Sequence, residues 1–326
     1  MHGHPVIIAS PFFRECLSLL VLVMLVVPDS TAQRFEPKIV FESNRNGNWD
    51  IYAMNADGNN LVQLTDDPAD DRDPAGSTDG QKIAFTSMRH GPSDLYVMDS
   101  DGSNVVRLTN SNFLELNPSW SPDGTKTAFA SYRVHNWEIY TIDTDGNNLT
   151  RLTENKRLDG GPSWSPDGKK IAFYSDPDGR SVSWHIFVMD ANGDGTRNLT
   201  GNTDLTKCFS PSWSPNGSRI AFYVWHNKVS DIYSMTADGK RLAKLTNGEG
   251  NSRSPSYSPD GTKIAFSSDR EGNRNIKLME TDGRGVVQLT KTRAGVENRD
   301  PSWLPVPFAV TPIGRLSTLW GEVKRK

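Results

Sequence analysis

The chain has 326 residues, 35% of them hydrophobic and 23% charged, with a formal net charge of −3. This is the profile of a folded globular protein and excludes a disordered chain. Acids and bases are mixed along it, so composition offers no basic tract for nucleic acid or an anionic membrane surface.

At the N-terminus, Arg14 precedes an apolar run from Leu17 to Val27, followed by Pro28-Asp29 and the small residues Ser30-Thr31-Ala32. That pattern predicts a secretory signal peptide over residues 1–32, cut near Ala32. An apolar run this short falls below the roughly 20 residues a helix needs to cross hydrocarbon, so no membrane span is expected after cleavage. Cys16 lies before the run, which leaves Cys208 as the single cysteine of the mature chain and permits no internal disulfide. Nothing around Cys208 suggests activation, and it reads as a small buried hydrophobe.

From residue 38 onward the chain repeats. Phenylalanines ending a Lys-Ile-Ala-Phe-like strand recur at 41, 85, 129, 173, 222 and 266, spaced by 44, 44, 44, 49 and 44 residues. Before most of them stands the phrase Pro162-Ser163-Trp164-Ser165-Pro166-Asp167-Gly168 or a close copy, in which Pro-Asp-Gly supplies hairpin turn chemistry. After each comes a polar loop, a second apolar run such as Asp94-Leu95-Tyr96-Val97-Met98, another Asp-Gly turn, and a short run ending Leu-Thr. Each repeat therefore reads as four antiparallel strands. Several are continuous apolar runs, which implies that both faces of each small sheet are covered. Repeats of about 40–50 residues with four strands predict propeller blades.

The first repeat lacks its Pro-Ser-Trp strand, and the last repeat element, Asp300-Pro301-Ser302-Trp303-Leu304-Pro305, is that strand without a blade after it. The expectation is an all-β, six-bladed propeller over residues 33–305, its ring closed by a C-terminal strand that completes blade one. Blade two has Ala75-Gly76-Ser77-Thr78 where others have Ser-Trp-Ser-Pro, so its innermost strand lacks the tryptophan. The remaining tail, residues 306–326, is proline-rich at first and is expected to pack along the propeller through Phe308 and Trp320.

The phrase Pro-Ser-Trp-Ser-Pro-Asp-Gly-Lys-Lys-Ile-Ala-Phe, followed by Asp-Ile-Tyr and Leu-Thr elements, resembles the propeller repeat of the TolB family over about residues 38–305. TolB proteins carry an α/β domain ahead of the propeller, whereas only Gln33 to Pro37 separate the expected leader from blade one here. The resemblance implies a binding module with a protein or peptide partner; with the leader pattern, a periplasmic or secreted protein is expected, and a monomer.

Function is sought in the loops that differ between blades. Trp49, His90, His135, Trp137, Trp184, His185, Trp225 and His226 all fall in or beside the loops between second and third strands, on what we term the upper face. They read either as a recognition surface suited to a peptide or a sugar, or as tryptophans shielding neighbouring blades. The histidines belong to different blades, and no histidine metal site is expected. A second set, Asp73, Asn117, Arg253, Arg299 and Asp300, lies just before the inner strands and is expected to ring the channel mouth.

Arg45, Arg89, Arg133 and Arg270 stand four residues after their phenylalanines, and Asp50, Asp94, Glu138 and Asp231 nine after theirs. These predict structural pairs across the hairpin in blades one to three. The linker from Asp66 to Asp73 reads as a solvated acidic loop, with Ca²⁺ binding as its second reading. Asp190 to Gly195 resembles the start of an EF-hand loop but reads as a hairpin, because its twelfth position is Gly201. No cofactor is expected. The chain carries no G-x-S-x-G, H-E-x-x-H or G-x-x-x-x-G-K-[ST] phrase, so no enzyme is expected either. The alternative class is a carbohydrate-binding or carbohydrate-active propeller that uses the upper-face His/Trp set.

Overall fold

The computed structural model describes residues 37–179 and 182–305. The expected leader (1–32) and tail (306–326, with Phe308 and Trp320) lie outside the described residues. The 24 described strands form six four-stranded antiparallel sheets. In blade 1 the spatial order places Asn298–Leu304 beside Lys38–Ser43, so the last and first described strands share one sheet. Lys38 pairs with Leu304, Ile39 with Trp303 and Val40 with Ser302. The ring is closed as the truncated repeats predicted, which removes the open edge that a linear array would expose.

The continuous apolar runs are explained by where alternate side chains go. In Lys38–Ser43, Ile39 and Phe41 pack with Ala265, Ile276 and Leu278 of blade 6. Val40, between them, joins Ile83, Phe85 and Met98 of blade 2. Each second strand thus supplies two inter-blade cores at once, and a polar residue on either face would be buried. The phenylalanine at position 41, and its equivalents Phe85, Phe129, Phe173, Phe222 and Phe266, are the largest fully buried side chains.

Two repeated polar devices fix the blades. In the Ser-Pro-Asp-Gly hairpins, Asp123 Oδ1 accepts from Ser121 Oγ at 2.6 Å and from Thr125 N at 3.1 Å, and Gly124 has φ +69°. The turn aspartate is occupied by its own hairpin, and these hydrogen bonds hold its pKa below the ordinary value against a smaller opposing effect of burial. In each Leu-Thr element the threonine hydroxyl accepts the backbone N–H of the third strand, as in Ile51 N to Thr65 Oγ1 (3.0 Å) and Ile276 N to Thr290 Oγ1 (2.9 Å). This ties a two-residue outer strand to its neighbour.

The arginines and acids of the repeat are structural, but their pairing differs from the expectation. Arg89 binds Asp71, two hydrogen bonds of 3.0 and 2.8 Å, and Arg133 binds Glu115; both acids begin innermost strands. Arg45 bonds Asn298 at the same place in blade 1, and Arg270 pairs with Glu249. The acids nine residues after the phenylalanine pair instead with the outer strand: Arg107 with Asp94, Arg151 with Glu138 and Lys244 with Asp231. Arg45, Arg89 and Arg133 also cover an aromatic ring of the third strand, at 4.4 Å from the Tyr52 centroid and 4.9 Å from those of Tyr96 and Tyr140. Pro177 occupies the arginine position in blade 4, and there Arg157, from the preceding linker, lies over Phe187.

The acidic linker is not a solvated loop throughout. Asp71 is fully buried in its ion pair, Asp67 Oδ1 accepts from Ala69 N, and Asp70 pairs with Arg72. The segment at Asp190 is a hairpin, with Asp190 N donating to Asp194 O and Gly193 N to Asp190 O. Cys208 is fully buried, and burial pushes its thiol up to about 12.

Candidate functional site at the channel mouth

The six innermost strands, Asp71–Gly76, Glu115–Trp120, Asp159–Trp164, Cys208–Trp213, Ser252–Tyr257 and Asn298–Leu304, line the axis. Each begins three residues before the proline of the repeat phrase, so the expected mouth residues lie inside these strands rather than before them. Each contains a register shift between its second and fifth residues. At that bulge the third residue takes the left-handed conformation: Asp73, Asn117, Gly161, Ser210, Ser254 and Asp300 have φ between +47° and +56°. Asp, Asn and Gly tolerate that conformation best. Below this ring stands a ring of prolines, and the channel they enclose has a volume of about 170 Å³.

Three carboxylates converge near the blade 1–2 seam. Glu42, Asp73 and Asp300 offer oxygens that lie within 4.8 Å of one another. Glu42 Oε2 accepts from Asp73 N at 3.1 Å. Asp73 accepts from Asn117 N (3.3 Å), Asn117 Nδ2 (3.1 Å) and Thr86 Oγ1 (3.2 Å), while Asp300 accepts from Ser254 Oγ. Burial, then the charges of Asp300 and Asp73, pushes the Glu42 carboxyl well above its usual range; burial, then Asp300, raises Asp73 to about 6. An oxygen set of this kind suits a hard divalent cation. In the structure it acts as a hydrogen-bonded joint between blades 6, 1, 2 and 3, and the cluster contains no histidine.

The second residues of the inner strands, one step above the bulge, divide the mouth in two. Blades 6, 1 and 2 present Arg253, Arg299 and Arg72; blades 3, 4 and 5 present Leu116, Gly160 and Phe209. Gly160 leaves space that Tyr174 fills: a Cβ on Gly160 would stand 2.5 Å from the Tyr174 hydroxyl, and one on Gly161 2.6 Å from its ring. Around Phe209, Tyr174 lies at 5.3 Å, Trp184 at 5.5 Å and Tyr223 at 5.3 Å between ring centroids. Across the mouth, Trp49 carries Arg72 at 4.5 Å and Arg299 at 4.6 Å from its ring centroid. Arg253 covers Tyr223 at 5.8 Å and joins the two halves. Burial pushes the Tyr174 hydroxyl up, and raises that of Tyr223 to about 12.

The structure therefore brings Trp49, Trp184, Arg253, Arg299, Asp73, Asn117 and Asp300 to one mouth. The remaining candidates are dispersed. His90 is exposed and bonds Tyr96 Oη at 2.6 Å, and His135 is exposed at a loop tip with φ +60°. Trp137 packs on Tyr132 at 5.5 Å. His185 bonds Thr200 Oγ1 at 3.1 Å, and burial lowers its pKa. Trp225 takes Lys207 Nζ at 4.2 Å, and His226 lies exposed beside it. Sequence reasoning missed Phe209, Tyr174, Tyr223 and Arg72. The usable signal was the residue two before each inner-strand proline, which changes from arginine to leucine, glycine and phenylalanine around the ring.

A family described as the TolB beta propeller domain matches residues 29–116, 109–207 and 204–308. The chain belongs to this family. No curated protein sequence matches it. Among solved structures it is similar to TolB from Acinetobacter baumannii, with 24% identity and a TM-score of 0.72 over 83% of this chain and 67% of that one. It is also similar to a putative TolB from Agrobacterium tumefaciens, with 22% identity and a TM-score of 0.65 over 78% and 89% of the two chains. A chain of a nidogen/laminin complex shares the fold at 9% identity, with a TM-score of 0.67 over 82% and 98%. Among the described residues no helix is long and apolar enough to cross a membrane.

Proposed function

We propose that this TolB-family propeller is a non-catalytic interaction module of the cell envelope that holds a protein or peptide partner at its upper channel mouth. The observation that carries this is the belt in which the cluster of Tyr174, Trp184, Phe209 and Tyr223 on one half of the mouth faces Arg72 and Arg299 stacked on Trp49 on the other, with Arg253 between the halves. Trp, Tyr and Arg are the residues in which interface energy concentrates, and here each is pre-positioned by stacking, so little side-chain entropy is lost when a partner docks. Membership of the TolB family and the occurrence of the same fold in a nidogen/laminin complex support a protein partner. The leader pattern over residues 1–32 supports export to the periplasm. The non-catalytic reading rests on the absence of the nucleophile, zinc and phosphate-loop phrases from the sequence.

The test is a pull-down from envelope extract with the purified protein and its Phe209→Ala and Trp49→Ala variants, run beside a glycan array. A partner retained by the native protein and lost by both variants is expected. A clear glycan hit with no retained protein would overturn the reading in favour of a carbohydrate-binding propeller.

A further inference from the structure

The two halves of the mouth differ in charge as well as shape, and this bears on what kind of peptide would fit. Arg253 donates Nε to Ser230 Oγ at 3.1 Å and makes no ion pair among the described residues. Arg274 reaches Asp269 at 3.6 Å, while its buried Nε has no acceptor. Arg299 is held by Glu297 and stacked on Trp49. Arg253 and Arg299 hold equivalent positions in the innermost strands of adjacent blades, and the Arg274 carbonyl accepts from the N–H of Asn298, the neighbour of Arg299, at 2.9 Å; burial, then Arg253 and Arg299, lowers the pKa of Arg274. Donors left uncommitted beside like charges are stabilised by an incoming carboxylate, which a guanidinium binds through two parallel N–H groups.

Resting on the reading of the mouth as a peptide site, we propose that it takes an acidic segment of a partner polypeptide. A carboxylate side chain sits among Arg253, Arg274 and Arg299, and a neighbouring aromatic or large aliphatic side chain lies against Phe209 and Trp184. The deeper carboxylates Glu42, Asp73 and Asp300 do not reverse this preference. Arg72 and Arg299 immediately precede Asp73 and Asp300 in their strands and stand above them at the mouth. A ligand entering from the upper face meets guanidinium first, and all three carboxylates already accept hydrogen bonds from neighbouring blades.

The experiment is selection of random 12-residue peptides displayed on phage against the purified protein, followed by titration of one selected synthetic peptide. Selected sequences should carry Asp or Glu within two positions of Trp, Phe, Tyr or Leu. The peptide should lose at least tenfold in affinity to Arg253→Glu, recover part of it in Arg253→Lys, and weaken severalfold between 50 and 300 mM NaCl, on the order expected for partly exposed charge pairs. Arg253→Lys also controls for folding. Peptides that depend on Phe209 but lack acidic residues, or that ignore Arg253→Glu, overturn the acidic preference and leave the peptide reading standing. No enrichment, or binding indifferent to both Phe209→Ala and Arg253→Glu, overturns both. A uronic-acid oligosaccharide that binds with Arg253 dependence and displaces the peptide would reassign the arginines to an anionic sugar.

Discussion

Asp73 and Asn117, one blade apart on the channel wall, are joined by two hydrogen bonds, from Asn117 N to Asp73 Oδ2 (3.3 Å) and from Asn117 Nδ2 to Asp73 Oδ1 (3.1 Å). Burial, then the charge of neighbouring Asp300, disfavours ionisation of the same aspartate although its hydrogen bonds are made. A carboxyl whose folded pKa is raised stabilises the fold fully below the unfolded value of about 4, and that contribution is lost as pH rises through the folded value. For Asp73 the window runs from 3.8 to about 6, and Glu42 shifts in the same direction. Asp73→Asn removes the charge and keeps an acceptor for Asn117. Thermal melts from pH 4 to 8 should show the variant close to native at pH 4 and more stable by about 1–2 kcal/mol at pH 8. A variant less stable at every pH would refute the assignment.

The ion pairs of the repeat should differ sharply in their effect on stability. Asp71 is fully buried and held by two hydrogen bonds from Arg89. Arg89→Met leaves that carboxylate without its cation, at a cost of about 3 kcal/mol. Lys82 and Asp99 form an exposed pair at 2.6 Å, and Lys82→Ala should cost less than about 1 kcal/mol. Urea unfolding of the two variants separates the cases, and equal losses would contradict the burial argument.

The blade count, the closure and the turn role of Asp123 and Asp167 were legible because they are written in spacing and in turn chemistry, both local properties of the chain. The ion pairs were not. Arg89 and Asp94 share one loop in sequence, yet Arg89 reaches back across the sheet to Asp71 while Asp94 takes Arg107 from the outer strand. Sequence proximity within a loop says nothing of which neighbouring strand a side chain leans over. The mouth was half legible for a related reason. Asp73, Arg253 and Arg299 were visible as channel residues, but Tyr174 lies on a second strand. It reaches the mouth only because Gly160 and Gly161 leave room for its ring.

Trp49 offers a direct measure of the belt. With Arg72 and Arg299 at 4.5 and 4.6 Å, Trp49→Ala removes both contacts and half-buried apolar area, and should cost about 2 kcal/mol. Trp49→Phe keeps a ring for both guanidiniums and should cost under about 1 kcal/mol. Urea melts of the pair test this, and identical losses would mean that the stacking contributes nothing beyond area.

The bulge ring predicts opposite outcomes at equivalent positions. Gly161 has φ +56°, and a Cβ there would stand 2.6 Å from the Tyr174 ring, so Gly161→Ala adds backbone strain and displaces an aromatic of the mouth. The left-handed conformation alone costs roughly 1–2 kcal/mol for a residue with a Cβ. Ser210 holds the same place in blade 5 with φ +48°, and Ser210→Gly removes that strain while giving up some chain entropy. Gly161→Ala should lower stability by about 2 kcal/mol or more and weaken partner binding at the mouth, because Phe209 packs on the displaced ring. Ser210→Gly should be neutral or stabilising by a few tenths of a kcal/mol and leave binding unchanged. Calorimetric melts of the two variants, with titration of the same bound partner, would show the argument to be wrong if the alanine were tolerated and the glycine were not.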